Sequence, residues 1–239
     1  MSDFPNLSDE AKAALARAAE KSVDPAFALA NRVGDFLYRV VGGLAEDAVG
    51  IHWDNIKFRR FENKVRSIEK AEKIWRERGV ETIRAPLPIN FAIPLLEAAG
   101  LQEDEALSDL YARLLANALD PNRNIEPDPI FLRILQSLQP LDALIIERVY
   151  SAVEQREFDK YDVVYTGKLP QEVHFRQEMK EREGGVPDYG EPSQEVEMAL
   201  WKLCSLSCLG ASMNFGGGAL VGCVGITMLG YRFYQACKQ

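Results

Sequence analysis

The side chains best suited to bind an anion lie between residues 53 and 78, where basic and apolar residues alternate. Six of these residues form the candidate binding set: Arg59, Arg60, Lys64, Arg66, Lys70 and Lys73. Positive side chains along one helix would attract phosphate groups or an acidic protein. Glutamates spaced to pair with them along the same helix also occur, among them Glu62, Glu69 and Glu72. We therefore expect a protein partner and keep nucleic acid as an alternative.

The four cysteines, Cys204, Cys208, Cys223 and Cys237, raise the question of a metal site. Cys204 and Cys208 are four residues apart on a predicted helix, which would place two thiolates on one face. The second pair lacks the short spacing of zinc ribbons and fingers. Buried thiols that pack as small apolar groups are the commoner explanation, so no metal and no cofactor are predicted.

No arrangement of residues indicates an enzyme. The chain has no Gly-x-Ser-x-Gly, no phosphate-binding loop and no His-Glu-x-x-His, and His52 and His174 are its two histidines. Glu103, Asp104 and Glu105 are explained by their place at the positive start of a helix. We predict that the protein is not an enzyme and has no catalytic residues.

Composition describes an ordinary folded protein of 239 residues, 47% hydrophobic, with a net charge of −8. It excludes a disordered chain and a disulfide scaffold, and the acidic balance argues against a nucleic-acid coat protein. Residues 1–9 lack the basic and apolar regions of a secretory signal. A cytoplasmic location is therefore expected.

Helix signals dominate the first two thirds of the chain. Asp24-Pro25 opens one helix, and a long basic helix over 53–78 ends at Gly79. The clearest periodicity covers 103–119, where Leu107, Leu110, Tyr111, Leu114, Leu115 and Ala118 recur on one face. Asp128-Pro129 and Gln139-Pro140 open two more helices. The helix over 103–119 should form the core of this region.

After residue 158 the pattern changes. We predict a short strand over 161–165, a polar helix over 170–183, a helix over 193–210, a hairpin around 213–218 and a final helix over 228–237. This order indicates a winged-helix-like subdomain. Its candidate recognition helix offers only Lys202 as a basic residue, which argues against DNA reading.

No residue from 203 to 231 is charged. This uncharged stretch is long enough to span a membrane. Seven glycines and the polar Asn214 interrupt the stretch, so a buried helix followed by a hairpin explains it better. Membrane contact is kept as an alternative.

Together these patterns predict a mainly α protein with a multi-helix N-terminal and central region and a C-terminal winged-helix-like α+β subdomain. Its expected parts are an N-terminal helical region over 1–50, a central helical domain with the long basic helix over 51–139, and the winged-helix-like subdomain over 140–239.

The stretch from Leu107 to Pro121, Leu-Ser-Asp-Leu-Tyr-Ala-Arg-Leu-Leu-Ala-Asn-Ala-Leu-Asp-Pro, resembles the central signature of the bacterial abortive-infection alpha family. Residues 59–63, 131–143 and 226–237 are also similar to that family. Tyr111 stands where tryptophan is common, and 158–192 matches poorly. The resemblance implies a helical protein with a winged-helix-like tail, found in bacteria and their mobile elements and associated with phage defence. It implies no catalytic residues.

We therefore expect a non-catalytic interaction protein of an antiphage, abortive-infection system. Two alternatives are a membrane-perturbing defence effector and a nucleic-acid-binding regulator that uses helix 53–78. The apolar stripe of that helix is long for one small domain to cover, which predicts a homo-oligomer, most simply a dimer. The stripe consists of Ile56, Phe61, Val65, Ile68 and Trp75.

Overall fold

The computed structural model describes residues 25–41, 55–84, 86–156, 159, 162–176, 190–213 and 216–239. The helices are α1 (Pro25–Val41), α2 (Asn55–Arg78), α3 (Ile89–Gly100), α4 (Glu105–Leu119), α5 (Pro129–Ser137), α6 (Pro140–Glu154), α7 (Gln194–Ser205) and α8 (Met228–Cys237). The strands are β1 (Val163–Tyr165), β2 (His174–Phe175), β3 (Leu209–Met213) and β4 (Ala219–Ile226). The predicted fold class, mainly helical with a small C-terminal sheet, is confirmed.

Helix α2 lies at the centre of the helical part and packs against α1, α3 and α4. Val65, Ile68 and Trp75 are buried there, and Trp75 donates its indole N–H to the Ala116 carbonyl at 2.9 Å. The Phe36 ring of α1 stacks on Trp75 with 6.4 Å between centroids. The chain itself thus covers this part of the stripe. A contribution of helix α2 to a contact with a second copy stays a prediction, as does the dimer.

Helix α4 forms the core of the helical part, as its periodicity predicts. The Asp104 carboxylate accepts a hydrogen bond from the Leu107 N–H and so caps the first turn. Leu107, Tyr111, Leu114 and Leu115 are each at most 3% exposed. Apolar side chains at three- and four-residue spacing point to one face, and here that face is enclosed by α2, α3, α5, α6 and α8.

The sheet is antiparallel, with the strand order β2-β1-β4-β3. The predicted hairpin is confirmed as β3 and β4, and the predicted strand over 161–165 corresponds to β1. The polar helix predicted over 170–183 is wrong in its described part, since residues 170–173 form turns and coil and His174–Phe175 pair with β1. The helix predicted over 193–210 is shorter, because Leu209 joins the sheet.

Tyr150 of α6 joins the hairpin to the helices. Its hydroxyl donates to the Cys208 carbonyl just before β3 and lies 3.3 Å from the Thr227 carbonyl after β4. The Thr227 hydroxyl accepts the Gly230 N–H and so caps α8. Gly230 lies against this junction, where it is buried. One polar group thus fixes three elements of the C-terminal subdomain.

The boundaries proposed for the three parts stay predictions. Of the region 1–50, helix α1 is the portion that the structure describes. The buried side chains form one cluster from Val33 of α1 to Cys237 of α8. Within 140–239, the winged-helix-like arrangement also stays a prediction.

Candidate interaction site

The six candidate basic residues of α2 have very different surroundings. Lys64 is buried, Lys70 is half-buried, and the other four are exposed: Arg59, Arg60, Arg66 and Lys73. A helix turns about 100° per residue, so positions 64 and 70 face the helix bundle while the other four candidate positions face solvent. The six residues therefore do not form a single basic surface.

Acidic residues of neighbouring helices form ion pairs with the two inward-facing lysines. The Lys64 ammonium lies 2.5 Å from a Glu97 carboxylate oxygen on α3. The Lys70 ammonium lies 2.6 Å from both Glu105 and Asp109 on α4. Burying a cation without a partner is costly, so these carboxylates make the inward positions tolerable. Both lysines are therefore structural rather than open to an external ligand.

The exposed basic residues are weakly engaged. Arg66 is 3.8 Å from Glu105, and Lys73 is 3.8 Å from Glu77 one turn further along the helix. Within the described residues, Arg59 and Arg60 have no ion-pair partner. Exposed pairs contribute about 0–1 kcal/mol. Arg59 and Arg60, near the start of α2, are thus the part of the set that an external anion can still reach.

A polar cluster that the sequence did not reveal joins α2, α4 and the end of the chain. Arg78 donates to Asn117 at 2.8 Å and to the buried Asp120 carboxylate at 3.2 Å. The Asn117 amide donates to the backbone carbonyls of Ala236 and Lys238 at 2.8 and 2.9 Å. Asn117 is buried on α4, and Asp120 is the residue that follows its last turn.

Helix α7 presents one apolar face to the core and another to solvent. Val196, Ala199, Leu200 and Leu203 are the buried residues. On the outer face Met198 is 65% exposed and Trp201 is 36% exposed. The basic residue of this helix, Lys202, is held by the buried Asp142 carboxylate at 2.7 Å. The outer face is therefore apolar and acidic, with Glu195 and Glu197 both exposed.

The far end of the β3–β4 hairpin is also exposed and apolar. Strand β1 pairs with β4 only from Cys223 to Gly225, so the hairpin extends past it. Met213 is 73% exposed and Leu220 is 48% exposed. Their cross-strand partners are Ala219 and Ser212, so the two side chains leave opposite faces of the ribbon. Because their directions differ, these two side chains do not form one face. The name apolar face is therefore kept below for Met198 and Trp201, which are exposed and lie three residues apart on α7.

The thiols are free and mostly enclosed. Burial raises the pKa of Cys208 to about 12 and raises that of Cys237, which the Arg113 guanidinium only partly opposes. Helix α7 ends at Ser205, so Cys204 and Cys208 do not share a helix face as predicted. Within the residues that the structure describes, no three His, Cys, Asp or Glu side chains are grouped to hold a metal.

These pKa shifts predict that the protein loses stability in alkali. Cys208 and Cys237 are neutral acids whose folded-state pKa lies above the unfolded value, which is 9.0 for Cys208. The unfolded chain therefore ionises first, and stability present below pH 9 is lost as the pH rises. At pH 10 the loss is about 1.4 kcal/mol for each buried thiol. Urea unfolding from pH 7 to 10 measures it, and a flat profile would contradict the burial of these thiols.

Among the described residues, no helix is long and apolar enough to cross a membrane. The uncharged stretch over 203–231 is divided between the end of α7, the hairpin and the start of α8. Part of the stretch is uncharged because it is buried: Cys208, Val224 and Ile226 are each at most 5% exposed.

The fold is that of a mainly helical protein with a four-stranded antiparallel sheet and with exposed apolar side chains on α7. A family model for abortive infection alpha matches residues 56–237. The chain therefore belongs to the abortive infection alpha family, and its role is related to abortive infection. No curated protein and no solved structure matches it.

Proposed function

We propose that this chain is a non-catalytic interaction protein of an abortive-infection defence system and that it acts in the cytoplasm. The observation that carries the proposal is the apolar face. Ten large apolar side chains are exposed in the described chain, and five of them lie between residues 198 and 228. Scattered exposed apolar residues are normal, but Met198 and Trp201 are neighbours on one face of α7, and an exposed apolar patch is typical of a contact surface.

The chemistry of this face indicates a protein partner. Tryptophan, here Trp201, is among the residue types that dominate binding energy at protein interfaces, and methionine, here Met198, is enriched in interfaces. The exposed Glu195 and Glu197 beside them would repel nucleic acid and favour basic groups around the partner's edge. We therefore propose a partner with an apolar pocket and a basic rim. No step of this proposal requires a catalytic residue.

Site-directed crosslinking combined with phage infection tests the proposal. A photoreactive phenylalanine analogue at position 198 should crosslink to one defined protein, and the same analogue at position 101 should not. Leu101 is a matched control because it is exposed and apolar but lies after α3. Crosslinks to lipid would favour the membrane-perturbing alternative, and crosslinks to nucleic acid would favour the regulator.

Trp201→Ala should abolish phage protection without unfolding the protein. Interface tryptophans commonly contribute at least about 2 kcal/mol to binding, roughly 30-fold in affinity. Met198→Ala, at a side chain that is 65% exposed, tests the same face with a stability change of only about 0.5 kcal/mol. Plating efficiency of phage and the melting temperature measure the two effects. Leu101→Ala serves as the control, and full protection by Trp201→Ala would refute the proposed face.

A further inference from the structure

A cavity of about 250 Å³ lies between α4, α6 and α8, away from the apolar face. Its apolar wall includes Leu110, Ile146 and Phe233. An engineered cavity of roughly 150 Å³ is enough to hold benzene, so this one has room for a side chain of the size of leucine or phenylalanine. None of the residues that form the apolar face lines it.

Two side chains of opposite charge line this cavity without forming an ion pair within the described chain. Arg113 of α4 is half-buried and lines this cavity together with Cys237 of α8. Within the described residues it has no hydrogen-bond or ion-pair partner. Lys70 and Arg78, which are half-buried like Arg113, each have a carboxylate within 4 Å. Arg113 is thus a cation at the cavity that can still pair with an external anion.

Glu147 of α6 provides the negative charge. Its carboxylate lines the same cavity and interacts electrostatically with Tyr234 of α8. Glu147 is exposed and forms no ion pair with Arg113 in the described chain, so the two charges are more than 4 Å apart. The cavity thus offers a cation for a carboxylate, an anion for an ammonium group and an apolar wall.

We propose that this cavity binds a small zwitterion with an apolar body, the chemistry of a large apolar amino acid. The ligand's carboxylate would accept hydrogen bonds from the Arg113 guanidinium, which suits a planar carboxylate geometry. Its ammonium would donate to Glu147, and its side chain would contact Leu110, Ile146 and Phe233. The proposal is independent of the protein partner, because the two sites share no residue.

Calorimetric titration of the whole protein with four probes tests the ligand chemistry. L-phenylalanine and L-leucine carry both charges, 3-phenylpropionate lacks the ammonium, and 2-phenylethylamine lacks the carboxylate. At least one of the two amino acids should bind at up to millimolar concentration, and tighter than either single-charge probe. The absence of binding by both amino acids would overturn the proposal, as would tighter binding of either single-charge probe.

Variants assign the roles of the two charges. Arg113→Met should weaken amino-acid binding by at least about tenfold, the range of a charge-assisted hydrogen bond, and should leave 2-phenylethylamine binding unchanged. Glu147→Gln should weaken the amino acid and the amine but not 3-phenylpropionate. Arg148→Met, an exposed neighbour on α6 that does not line the cavity, is the control. Unchanged amino-acid binding by either cavity variant would overturn the assignment, and Arg113→Lys, which keeps the charge, covers the case in which Arg113→Met does not fold.

Discussion

Gly230→Ala should strongly destabilise the protein at the junction of α6, the β3–β4 hairpin and α8. A Cβ atom at this position would lie 2.0 Å from the Cys208 carbonyl oxygen and 2.1 Å from the Tyr150 hydroxyl oxygen. Neither neighbour can yield cheaply, because one is backbone and the other is a buried ring that is 0% exposed. Overpacking a core ordinarily costs about 1–3 kcal/mol, and a backbone collision of this depth should cost more. Urea unfolding or the melting temperature measures the loss.

Gly222→Ala is the matched control for this prediction. Gly222 lies in the same subdomain on β4, and a Cβ there would meet nothing within 4 Å. The free energy of unfolding of the Gly222→Ala variant should stay within roughly 0.5 kcal/mol of the wild-type value, as expected for surface substitutions. Equal tolerance of both alanines would show that the contacts of Tyr150, Cys208 and Gly230 are not as tight as described.

Leu114→Ala should produce the second large effect. Leu114 is 0% exposed on the buried side of α4, which several helices enclose. Truncating a leucine in a packed core costs about 2–5 kcal/mol, because apolar contacts are lost and a cavity is left. For a chain of this size each kcal/mol lowers the melting temperature by roughly 2–4 °C. A fall of at least several degrees is therefore expected in a thermal melt.

Glu105→Ala provides the comparison on the same helix. The Glu105 carboxylate pairs with Lys70 and lies 3.8 Å from Arg66, but its side chain is 66% exposed. Exposed pairs contribute about 0–1 kcal/mol, and Asp109 still pairs with Lys70 after the change. The melting temperature should therefore change little. A fall as large as that of Leu114→Ala would mean that surface charge, rather than packing, stabilises α4.

Local signals were sufficient to predict most helices. The spacing of Leu107, Tyr111, Leu114 and Leu115 defined the buried side of α4. Asp104 marks the start of α4, and Gly79 marks the end of α2. Such features involve residues within about four positions, so their effect is readable without knowing the rest of the chain. The polar helix predicted over 170–183 failed where pairing with β1 took His174 and Phe175 into the sheet.

The sequence also provided the family resemblance, the basic character of α2 and the apolar composition of the hairpin. The sequence could not show which charged side chains already form ion pairs within the chain. Lys64 and Lys70 pair with acids 33 to 39 residues away, and Asn117 bonds a carbonyl 119 residues further along the chain. Only tertiary packing brings such groups together, and it alone decided that two of the six basic candidates are structural. The exposure of Met198 and Trp201 beside the buried Leu200, and the unpaired Arg113 at a cavity, depend on the same long-range packing, which no local spacing encodes.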